Sequence, residues 1–183
     1  MNKTRPIADS AISRMARRLA RVAIVLALLI PLLVLAQMVF GAAISSDAML
    51  VEEPLFAQVE WTPTRQVIAA CVALMPAMAL MVVLLLLAKI CREYAEGRLF
   101  STRVVSTYCQ LGRAMVAVTL LHWLQPTILG LALATTLPAG KRFLHVGLSS
   151  DELMLVLLTA LVFLLASVMQ VAKRIHDENA EIV

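Results

Sequence analysis

The chain has 183 residues, of which 61% are hydrophobic and 15% charged, with a net charge of +4 and a mean hydropathy of +0.89. Soluble domains run at roughly 45–50% apolar and roughly 25% charged. A soluble protein of this length has too little interior for so much apolar side chain, so the excess faces lipid and a soluble domain is excluded. Sixteen basic and twelve acidic residues leave four stretches bare of charge: Val22–Ser46, Gln66–Ala88, Ala114–Gly140 and Leu153–Ala172. About 20 helical residues cross a hydrocarbon core of about 30 Å, and unpaired backbone is not tolerated there. The expected fold is all-α: one polytopic domain, 1–183, with four transmembrane helices over about 22–44, 66–88, 114–137 and 153–172.

In chain order, residues 1–21 form a basic leader. Residues 10–21 pattern as an amphipathic helix, with Ile12, Met15 and Leu19 on one side and Arg14, Arg17, Arg18 and Arg21 on the other. Such a helix lies against anionic lipid headgroups. Small residues at Gly41–Ala43 also fit a cleavable signal. The apolar stretch is too long for one, and cleavage would leave an odd number of spans, so a retained anchor is expected. Spans one, two and three contain Pro31, Pro76 and Pro126. Each strands the carbonyl four residues earlier, and the three together predict bent helices.

Residues 45–65 are an acidic outer loop with Trp61 as an interfacial anchor, and residues 141–152 a second, shorter one. The link 89–113 lies between spans two and three. There Gly97 should end one helix in the left-handed conformation and Ser101 should cap the next. Val104, Val105, Tyr108, Leu111, Gly112 and Met115 then share an apolar face. A helical hairpin beyond the membrane would bury that face, with Tyr94 and Phe100 at its corner.

The leader, link and tail hold 13 Lys and Arg residues, against 3 (Arg65, Lys141, Arg142) on the other side. The positive-inside rule therefore places both termini and the link in the cytoplasm.

The stretch Tyr94-x-x-Gly97-x-Leu99-Phe100-Ser101, then Leu111-Gly112, resembles the link of the bacterial membrane-protein family called domain of unknown function 2975. Leu148–Leu153, the aliphatic run after it, Glu178-Asn179 and the closing Ile182-Val183 are similar to that family's last helix and tail. The resemblance covers roughly residues 20–183. One departure is Val104, where the family often has asparagine. The resemblance implies a multi-pass protein of the bacterial inner membrane with no assigned enzymatic activity. Some family genes neighbour helix-turn-helix regulators, which implies a transcription factor as a protein partner.

Few residues carry chemistry. His122 and Cys71 are the titratable side chains of the spans, and an intramembrane histidine is a candidate site by default. Gln125 shares its face, Thr119 is near, and Gln37 of span one is a candidate hydrogen-bond partner. Cys71, Met75 and Met78 fit a soft-metal stripe, although methionine more often fills gaps in cores. A haem needs a second intramembrane histidine, and three dispersed cysteines build no disulfide framework. No protease, phosphate-loop or triad pattern occurs.

The expectation is therefore a protein with no enzymatic activity and no cofactor. It acts as sensor, relay or accessory subunit through a basic cytoplasmic face, with Tyr94, Gly97, Arg98, Phe100 and Arg103 meeting a protein partner. That partner is a regulator or another membrane subunit; direct nucleic-acid binding is not expected, and homo-oligomers are compatible. The alternative is a small-molecule or lipid-binding bundle with its site near His122.

Overall fold

The computed structural model describes residues 11–44, 62–98, 101–134 and 150–181, with side chains for all of these except 11–12, 37–44, 134, 176 and 179–181. The described residues form four helices: α1 (Ala11–Ile44), α2 (Pro63–Ala95), α3 (Thr102–Ala134) and α4 (Ser150–Glu181). Trp61, Phe100, the side chain of Gln37, and residues 45–61 and 135–149 of the expected outer loops lie outside the described residues.

All four helices are long and apolar enough to cross a membrane. At 1.5 Å per residue each measures about 50 Å, so each outruns a hydrocarbon core of about 30 Å. The excess of α2 and α3 lies largely at the end where they meet. From Ala88, α2 runs on for about 10 Å, and α3 begins about 18 Å before Ala114. Together they make a hairpin that stands clear of the charge-free stretches.

The amphipathic segment is helical, as its pattern predicts, and it is continuous with the first span in α1. Its buried face differs from the one the apolar periodicity picks out. Met15 is 63% exposed and Leu19 is exposed too, whereas Ser13, Ala16, Ala20, Ala23 and Ala27 are buried. Their alternating spacing of three and four is a heptad seam. Small side chains let two backbones approach closely, which drives association where lipid is as apolar as leucine. On α2, Ala69, Ala73, Ala77, Ala88 and Ala95 are buried.

The extensive interfaces follow chain order, α1 with α2, α2 with α3, and α3 with α4. The bundle is therefore open, and between 11% and 22% of each helix's most apolar window is buried. The main hydrophobic cluster lies between α2 and α3. Val83 and Ile90 meet Leu111, Met115 and Val118, and Val162 of α4 packs alongside. Between α3 and α4 a Cβ on Gly112 would come 3.0 Å from Phe163, so the glycine makes room for that ring. α1, α2 and α3 each continue through their proline.

Candidate functional site

The hairpin end is built by one buried acid. Glu93 sits in the last turn of α2 and is 7% exposed. A carboxylate there opposes the negative end of the helix dipole, so it needs cations. Arg98 Nε lies 3.0 Å from one carboxylate oxygen and Arg103 Nη1 3.4 Å from the other. Arg98 also pairs with Glu96. The chain reaches this geometry through Gly97, whose φ of +77° is the left-handed turn that ends α2. The Arg98 amide donates to the Glu93 carbonyl at 3.1 Å, closing the turn. Ser101 Oγ then accepts from the Val104 amide at 3.2 Å, capping α3.

A second clasp joins the two helices. The hydroxyls of Tyr94 and Tyr108 lie 2.9 Å apart. Val104 and Thr107 are completely buried, with the Thr107 hydroxyl donating to the Arg103 carbonyl at 2.7 Å. The apolar face that the sequence places on α3 is therefore the face packed at the hairpin. Arg98 and Arg103 remain more than half exposed while neutralising Glu93.

Mid-membrane, the polar residues divide. Thr119 Oγ1 lies 3.1 Å from Thr159 Oγ1 of α4, and each hydroxyl donates to the carbonyl four residues earlier. Thr119 thus belongs to the α3–α4 contact. His122 Nδ1 is buried and has no hydrogen-bond partner among the described residues. No hydrogen bond joins His122 to Gln125 among the described residues, and Gln125 is part-buried. Cys71, Met75 and Met78 are all exposed on α2, and no cluster of three or more His, Cys, Asp or Glu able to hold a metal occurs among the described residues.

Glu93 and Thr159 are the residues that sequence reasoning misses. The signal for Glu93 was its position, an acid just before a helix-ending glycine. Thr159 offered only the presence of one hydroxyl in each of two adjacent spans.

Four apolar helices, a stapled hairpin and a basic end define a multi-pass membrane protein of the helical-bundle class. More narrowly, residues 47–183 match the family described as a protein of unknown function, DUF2975, and the chain belongs to that family. The match starts beyond α1, later than the residue-20 limit suggested by the sequence resemblance. No curated protein and no solved structure matches the chain.

Because Glu93 holds two arginines, Arg98→Ala or Arg103→Ala alone leaves it one partner. The double variant strands a buried carboxylate and is expected to cost about 1–3 kcal/mol, moderated by solvent screening of the exposed guanidinium groups. Adding Glu93→Met should recover most of that loss. Thermal unfolding in detergent reads all three; an unaltered midpoint in the double variant would show that the staple contributes nothing.

Proposed function

We propose that this chain is a non-catalytic component of the bacterial inner membrane that relays to a protein partner through its basic end. The single observation behind this reading is the hairpin. Its turn is held by Glu93, Gly97 and the Tyr94–Tyr108 clasp, and it carries exposed Lys89, Arg92 and Arg113 with no ion pair among the described residues. An ordered hairpin with uncommitted cations at its membrane-side base suits an acidic protein surface docked at the bilayer, where fixed geometry adds selectivity.

Arg98 and Arg103 serve this reading as positioning residues, since their two charges are balanced by Glu93 and Glu96. The cations left to meet a partner are Lys89, Arg92 and Arg113, at the membrane-side base of the hairpin. With both termini and the hairpin in the cytoplasm, as the distribution of Lys and Arg favours, the partner is cytosolic or has a cytosolic face.

Two measurements test this. A reporter fused after Val183 should be active only in its cytoplasmic form; a periplasmic signal would remove the hairpin from reach of any cytosolic partner. Next, wild type and Lys89→Glu/Arg113→Glu are purified from their own membranes in mild detergent. A protein held by the wild type in near-stoichiometric amount should be lost from the charge-reversed chain at unchanged helix content. Retention by both, or by neither, contradicts a relay through the hairpin.

A second reading is favoured by His122. A buried, unpartnered ring nitrogen costs about 1–3 kcal/mol, a cost that a bound small molecule or lipid group at this site would relieve. In protein exhaustively washed with detergent, His122→Leu should match or exceed wild-type stability by up to about 3 kcal/mol. In gently purified protein the wild type should regain that difference. The same offset under both conditions would end the ligand reading.

A further inference from the structure

A cleft of about 350 Å³ opens between the beginning of α1 and the end of α2. Arg17 and Arg21 come to it from one helix and Arg92 from the other. Its apolar wall is Ala20, Ile24 and Ala95, and Glu96 stands at its edge. We propose that this cleft is a binding site for the phosphate headgroup of one anionic phospholipid.

Charge is the first argument. None of the three guanidinium groups has an ion pair or hydrogen bond among the described residues, while Glu96 is already engaged by Arg98. Three guanidinium groups gathered around one cavity repel one another until an anion separates them. A phosphodiester accepts from the planar donor fork of arginine at two oxygens at once.

Depth is the second. Arg21 is the last charge before the bare stretch that begins at Val22, and Arg92 lies four residues past the end of the bare stretch at Ala88. One helical turn is about 5.4 Å, so all three cations sit in the headgroup layer rather than out in solvent. Basic pockets between helices at this level are where lipid headgroups bind.

Shape is the third, and it separates a lipid from a soluble anion. Below the cleft, in line with Arg17, Arg21 and Ile24 at helical spacing, Leu28, Leu32 and Leu35 of α1 are exposed, a track for acyl chains that free phosphate would leave unused. Ala20 and Ala95 are nearly fully buried, and their small side chains keep the floor of the cleft open. Seven residues deeper toward the membrane on each helix stand Ala27 and Ala88, both buried, so the two walls are fixed by the alanine seam. The unpaired oxygen of Glu96 suits a headgroup that carries hydroxyls, which makes phosphatidylglycerol the appropriate probe.

This inference does not depend on the relay reading; it concerns α1 and α2, and its test reads no protein partner. The full chain in detergent is titrated with phosphatidylglycerol and with phosphatidylcholine, and bound lipid is counted by native mass spectrometry. One phosphatidylglycerol per chain is expected, held far more tightly than phosphatidylcholine. Arg21→Gln/Arg92→Gln should weaken it roughly 30-fold, about 5-fold for each arginine. Lys173→Gln/Arg174→Gln on α4, whose side chains do not line the cleft, should leave it unchanged. Ile24→Trp fills the cavity without altering charge and should also displace the lipid, so loss of a cation and loss of folding are told apart. Equal weakening in both double variants would mean diffuse attraction and overturn the site. Equal binding of phosphatidylcholine would overturn its anion selectivity, and competition by inorganic phosphate at comparable concentration would make it a soluble-anion site.

Discussion

Hydrocarbon excludes ionic groups, and every specific feature of this protein follows from where its charges were therefore put. Four helices carry no charge through the middle of the membrane, and most of the lysines and arginines collect at the end where α2 turns into α3. The interior of the bundle is left with weak, local devices: an alanine seam between α1 and α2, an aliphatic cluster between α2 and α3, and a threonine pair with a glycine notch between α3 and α4. A polar contact such as the threonine pair contributes about 0.6–2 kcal/mol in lipid. Recognition has to happen at the ends or at the few polar atoms between.

At the hairpin end the governing element is an acid in an unfavourable place. Glu93 lies against the negative pole of its own helix and is almost fully buried. It is tolerated because the glycine turn swings Arg98 back and brings Arg103 across from α3. The same turn sets the register that lets Tyr94 meet Tyr108. Arg98 and Arg103 are thus paired with acids while still more than half exposed, and Lys89, Arg92 and Arg113 beside them are exposed with no ion pair among the described residues.

The spans were legible because exclusion of charge leaves a mark that needs no knowledge of packing. Gly97 and Ser101 were legible as well, since a positive φ and a cap are local demands. The leader shows where such reasoning inverts. In water, the apolar residues Met15 and Leu19 would mark the buried side, but in a membrane they can face lipid, and close packing falls to Ser13, Ala16 and Ala20. Helical spacing likewise grouped Thr119 with His122. Which neighbour a hydroxyl turns toward depends on the adjacent helix, and here Thr159 takes it. The pairing of Glu93 with two arginines was hidden for the same reason, because it exists only once the turn has formed.

The order of the helices in space repeats their order in the chain. During synthesis each span after the first therefore enters a bilayer that already holds a neighbour it packs on, and no later segment must wedge between two earlier ones. Assembly can advance like a zip, one antiparallel pair at a time. Contacts close in sequence form fastest, so an open row of helices reaches its native pairing with little searching.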